Sequence, residues 1–167
     1  TESPSITINN GNVGIDASDD GFNATKGLSA GGAEQNDGSS IVINGGIVSV
    51  STTSGDGIDS NGTLSITGGT IIVQGPNSAP EVGMDVNGTR NISGGLLIVS
   101  GPNSGGMIEG LSTSSTQYSV LATSSSIKTN LYHVQDASGN NLVTFKPLRN
   151  SYYILFSSPE MKNGFTY

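Results

Sequence analysis

Residues 39–62 read SSIVINGGIVSVSTTSGDGIDSNG, and their layout decides the fold. An alternating apolar piece (Ile41, Ile43) runs into an Asn-Gly-Gly corner. A second alternating piece (Val48, Val50) follows, and after a polar loop comes GIDSN, residues 57–61. Alternation at period two marks a half-buried strand, and Asn and Gly tolerate the backbone that a tight corner requires. The same order recurs upstream in SITINNGNVGIDASDDGFNAT (5–25) and downstream in LSITGGTIIVQGPNSAPEVGMDVNGT (64–89). A degraded copy, RNISGGLLIVSGPNSGGMIEG, occupies 90–110.

The corner pairs fall at 10/11, 45/46, 68/69 and 94/95, giving spacings of 35, 23 and 26. The first spacing is stretched by an insertion, TKGLSAGGAEQNDG, at 25–38. Strands this short cannot pair within one unit. Stacking each strand on its counterpart in the next unit, at about 4.8 Å, satisfies the backbone and buries one face as a continuous column. The expectation is an all-β chain: a right-handed parallel β-helix of three-strand coils, roughly four in number, over residues 1–112. A β-sandwich also has many short strands, but it does not call for one repeated internal unit.

Composition agrees with strands and turns. Gly, Ser, Asn and Thr fill about half of the 167 positions, and strong helix formers are sparse. No run approaches the roughly 18 apolar residues of a membrane span, so no membrane insertion is expected. Cysteine is absent, which rules out disulfides and thiolate metal sites. The net charge of −7 is uneven: residues 1–112 carry eleven acids against Lys26 and Arg90, while 113–167 carry two acids against four bases. So acidic a surface is unsuited to phosphate backbones, and nucleic acid is not an expected partner.

After residue 112 the repeat gives way to a Ser/Thr-rich joint and four apolar-rich runs, at 118–123, 126–136, 140–147 and 151–157. ASGN (137–140) is a good hairpin turn between two of them. These predict a β meander that caps the last coil within the same structural domain, because an open end exposes unpaired backbone and apolar surface. Thr1 to Ser5 is too short to shield the first coil. Upstream coils are therefore expected beyond this stretch, along with a capacity to stack end to end through the exposed coil end.

The third strand of each unit carries the candidate chemistry. Aligning GFNAT (21–25), GIDSN (57–61) and GMDVN (83–87) puts Phe22/Ala24, Ile58/Ser60 and Met84/Val86 on one face. Asn23/Thr25, Asp59/Asn61 and Asp85/Asn87 lie on the other. The apolar set must face the core, so Asp59 stacks on Asp85 with Asn23 beyond it on the wet side. Like charges one strand apart repel each other, and a hard cation relieves that repulsion. Ca²⁺ takes six to eight oxygens at roughly 2.3–2.6 Å from carboxylates, amides, backbone and water. Asp20, Asn23, Asp56, Asp59 and Asp85 are the candidate metal ligands, with Asp19 at the edge. Surface Asp and Asn also serve simply to break edges and shape turns. Ile108 stands where an acid would continue the column, so the column ends near residue 87.

The motifs SDDGFNA, SIVINGG, GDGIDSNG, LSITGGT and ISGGLLI, with the tail SSPEMKNGFTY, give a sequence that resembles a bacterial family of calcium-binding carbohydrate-binding β-helix proteins. The resemblance covers nearly the whole chain. It implies an extracellular or cell-surface protein that binds plant-type polysaccharide, in some members acidic pectic chains, with a calcium-bearing outer face similar to that of certain pectate lyases. The family's acidic motif maps onto Asp20, Asn23, Asp56, Asp59 and Asp85.

Three functions follow as expectations. The first is calcium-dependent binding of an acidic glycan, with Lys26, Arg90, Asn61 and Asn87 as candidate substrate contacts beside the ion. The second is a polysaccharide lyase, since proton abstraction beside a metal-bound uronate needs only a positioned base such as Lys26 or Arg90. The third is a calcium-stiffened structural or adhesin segment. Trp is missing, and Tyr118, Tyr132, Tyr152 and Tyr153 are either stacking platforms or packing residues. His133 has no second His near it in sequence and reads as structural. The 25–38 insertion reads as a groove rim or as tolerated length.

Overall fold

The computed structural model describes residues 3–27 and 35–167. The first unit contributes β1 (Ser5–Ile8), β2 (Asn12–Ala17) and β3 (Phe22–Ala24). The second contributes β4 (Ser39–Ile43), β5 (Ile47–Thr52) and β6 (Ile58–Ser60), and the third β7 (Gly62–Ile66), β8 (Thr70–Gln74) and β9 (Met84–Val86). The fourth has β10 (Arg90–Ile92), β11 (Leu96–Gly101) and a single 3₁₀ turn at Gly105–Met107. Among the described residues the chain is all-β, without an α-helix, and no helix is long and apolar enough to cross a membrane.

Equivalent strands pair in parallel, so each of the first three units lends one strand to each of three sheets, and the fourth lends a strand to two of them. The sheets are ordered β1-β4-β7-β10, β2-β5-β8-β11 and β3-β6-β9. The registers follow the repeat: Ile41 faces Leu64, Val48 faces Ile71, and Ile58 faces Met84. The inward residues of all three sheets form one apolar cluster that includes Ile41, Ile43, Val48, Val50, Ile58, Leu64, Ile71 and Leu97. Of the four predicted corners, Gly11, Gly46, Gly69 and Gly95 all take positive φ, the conformation for which Gly is needed.

A second glycine column sets how closely the sheets approach. A Cβ on Gly21, Gly57 or Gly83 would lie 2.4, 2.2 or 2.5 Å from a methyl of Val50, Val73 or Val99, respectively. The Gly that opens each third strand is therefore there for lack of a side chain. At the amino-terminal side, Ser3 pairs its backbone with Asn23 and Thr25 along the edge of β3, while β1 and β2 are the outermost strands of their sheets.

The meander expected over 113–167 is replaced by a different topology. The strands are β12 (Ser119–Ile127), β13 (Tyr132–Gln135), β14 (Asn141–Phe145) and β15 (Ser151–Ser157). β15 inserts antiparallel between β11 and β12, and β13–β14 form a separate hairpin. One strand bridges the gap expected at 124–125, whereas the 126–136 run splits at 128–131. The hairpin turn sits where expected: Asp136 Oδ1 accepts the N–H groups of Ser138 and Asn140, and Gly139 has φ +84°. The hairpin covers the outer face of the long sheet, where Ile98, Phe156 and Met161 form a second apolar cluster with Val134, Leu142 and Phe145 beside it.

Candidate functional site

The shortest sheet holds the candidate site. Each of its strands is three residues long, with the outer two buried and the middle one half-buried. The register places Asn23 beside Asp59 and Asp59 beside Asp85, as the alignment requires. Phe22, Ile58 and Met84 are buried on the inward side, as are Ala24, Ser60 and Val86. Two carboxylates and one amide thus occupy adjacent strands about one strand spacing apart.

Three amide oxygens at this sheet are buried without a hydrogen-bond partner: Asn23 Oδ1, and Asn61 Oδ1 and Asn87 Oδ1 two residues further along. An unpaired buried acceptor is costly, and an oxygen of this kind is a good donor to a hard cation. Asn23, Asp59 and Asp85 therefore fit calcium by the chemistry of their donors. No group of three or more His, Cys, Asp or Glu among the described residues is placed to hold a metal ion.

Asp20 and Asp56 do a different job from the one their position in the motif suggests. Asp20 Oδ1 accepts the backbone N–H of Asp56 at 2.8 Å, and its Oδ2 accepts the Asn23 amide at 2.9 Å. In the next unit Asp56 Oδ1 accepts the N–H of Val82 at 2.5 Å. Each carboxyl hangs its own unit on the one that follows. Burial pushes the Asp56 carboxyl up to about 8 against the pull of the Val82 N–H, and neighbouring Glu81, Asp85 and Asp20 add to the rise. Burial raises Asp20 as well. At the third unit Val82 has no side-chain oxygen to offer, and the Tyr153 hydroxyl accepts the next N–H, that of Gly83, at 2.7 Å.

Beside the column lies a cleft of about 560 Å³ lined by Asp85, Asn87, Arg90, Met107 and Glu109. It unites three of the predicted residues. Arg90, a candidate glycan contact by sequence, also serves as a tether. Its guanidinium donates to the carbonyls of Gly110 and Val86 at 2.9 Å each and pairs with Glu109. Lys26 and Asn61 lie outside this cleft. Lys26 is exposed, and its ammonium sits where a Cβ on Gly38 would touch it.

Residues 28–34 of the insertion lie outside the described residues. Its described end packs along the site: the Asp37 N–H donates to the Asn61 carbonyl, and Asn36 reaches the turn at Gly88. The Ser39 hydroxyl, with the Lys26 N–H, holds the Asp37 carboxyl below its ordinary range. Asn36, Asp37 and Glu109 were not singled out by sequence. The only hint was that the insertion begins and ends beside the third strand. Of the four candidate tyrosines, Tyr153 is buried, Tyr132 stacks on Phe145 at 5.9 Å and Tyr152 packs against the first core, leaving Tyr118 exposed. His133, outside the site, bonds through Nδ1 to the Thr144 hydroxyl.

Compared with protein-family models, curated proteins and solved structures, the chain matches none.

Proposed function

We propose that this chain is a right-handed parallel β-helix that binds acidic polysaccharide outside the bacterial cell, through calcium held on its shortest sheet. The observation that carries the reading is the Asn23–Asp59–Asp85 register with the partnerless Asn23 oxygen at its end. Calcium, when bound, supplies positive charge that a sugar carboxylate can share. Asn23, Asp59 and Asp85 would hold the ion, and Asn61 and Asn87 extend the row of oxygens. The cleft at Asn87 and Arg90 offers hydrogen-bonding edges for the glycan beside it.

A lyase needs a base free to take a proton. The Arg90 guanidinium is already bonded to two carbonyls and a carboxylate, which favours binding over turnover. The test is a melting scan and retention on a polygalacturonate gel, each with calcium and with EDTA. Calcium is expected to raise the melting temperature and the retention together. An Asp59→Asn/Asp85→Asn protein that keeps both responses in full would refute the reading.

A further inference from the structure

On the carboxy-terminal extension, away from the calcium column, a groove of about 610 Å³ runs between Tyr118–Ala122, the β13 residues His133–Gln135 and the tail Met161–Tyr167. Three aromatic side chains stand open along it: Tyr118 is 50% exposed, Phe165 64% and Tyr167 38%. The tail that carries two of them is folded in place, because the Tyr167 hydroxyl accepts the Lys162 N–H at 2.7 Å and donates to the Glu160 carbonyl. The Lys162 ammonium lies 5.8 Å from the Phe165 ring centroid, so ring and charge border the groove as one unit.

The charge of the lining is the reverse of the chain's. Lys162 and His133 line the groove and no Asp or Glu does, in a chain of net charge −7. The acids nearest in sequence, Asp136 and Glu160, line a separate depression that shares Lys162, Phe165 and Tyr167. Thr144 fixes His133 through Nδ1, which leaves Nε2 as the ring's other hydrogen-bonding nitrogen. Gln135 and Asn163 add amide groups to the lining. A pyranose matches this mixture: its C–H face packs on an aromatic ring while its hydroxyls meet amides and imidazole. An alkyl chain would leave those polar groups unpaired.

We infer that this groove is a second glycan subsite, independent of calcium, which takes a pyranose bearing a carboxylate: Phe165 and Tyr118 stack on the ring and Lys162 meets the acid. It stands on residues that the calcium column does not use, and the two readings fail separately.

The experiment is an NMR titration of the full chain, in EDTA, with a galacturonate trimer and with its methyl ester. Saturable shifts are expected in residues 118–122, 133–135 and 161–167, with the acid bound more tightly than the ester. Phe165→Ala should weaken the acid about fivefold. Lys162→Gln should weaken it about threefold and erase the preference over the ester. Both side chains are solvent-facing, and an unchanged melting temperature verifies the fold. Should Phe165→Ala fail that check, Lys162→Gln alone decides. Shifts absent from the groove, equal binding of acid and ester, or variants that bind like the parent would overturn the assignment.

Discussion

Replacing Asp56 by Asn tests how neighbouring units are joined. Asp56 is 5% exposed, and its carboxyl is pushed up to about 8 from an ordinary 3.8, chiefly by burial. Between about pH 4 and 8 the folded chain therefore keeps a proton that the unfolded chain has lost. Its stability must fall as pH rises, by about 1.4 kcal/mol per unit. Below that window both states are protonated and the penalty vanishes. Above it both are ionised and the penalty is constant. From pH 5 to 7.5 the loss comes to about 3 kcal/mol, or roughly 6–12 °C in melting temperature for a chain of this size. Asn cannot ionise, yet its Oδ1 still accepts the Val82 N–H. Asp20, raised in the same direction, titrates in both proteins and cancels in the difference. Thermal melts of the two proteins in EDTA across this range should diverge, the variant gaining on the parent as pH rises. Parallel profiles, or a parent that gains stability toward pH 7.5, would show that Asp56 is not a buried acid.

Gly57→Ala pushes a methyl to within 2.2 Å of Val73 Cγ1 and 2.5 Å of the Gly83 carbonyl, so a loss of about 1–3 kcal/mol is expected in urea unfolding. Tyr153→Phe keeps the ring but removes the acceptor for the Gly83 N–H. It should cost about 1–3 kcal/mol while leaving calcium stabilisation intact, which melting scans with and without the ion can verify.

Much of the architecture was written into local chemistry. Each corner needed a positive φ at Gly, and each inward position of the third strand needed a small or apolar side chain. Those two requirements together fix the register of Asn23, Asp59 and Asp85. What alternation does not encode is the order of strands. Ser151–Ser157 alternates as well for an edge strand as for one inserted between β11 and β12, and its place is decided by long-range packing. Nor does spacing say which lone pair a side chain offers. Asp20 and Asp56 stand just before the third strand, where a metal ligand and a backbone acceptor look alike in sequence. Only the position of the next unit's N–H distinguishes them. The tether that Arg90 forms is illegible for the same reason: the carbonyls it binds lie 4 and 20 residues away, in a degraded unit with no pattern of its own.

The extension and the repeat are joined more closely than a lid and its box. Within β15, Tyr153 and Leu155 face the first core, while Phe156 belongs to the second and Ile154 packs against it, so one strand is a wall of both. Arg149 donates to the carbonyls of Thr52 and Gly75 and to the Ser51 hydroxyl, bracing two successive units from outside. Gln74 donates to Ser151 and accepts the Leu148 N–H, and Gln117 bridges the Gly95 carbonyl and Ser157. Polar groups along the flank of the repeat thus find their partners in residues 117–157. Pulling the extension away would strip those bonds and expose the last apolar layer at once, so the two parts are coupled in stability.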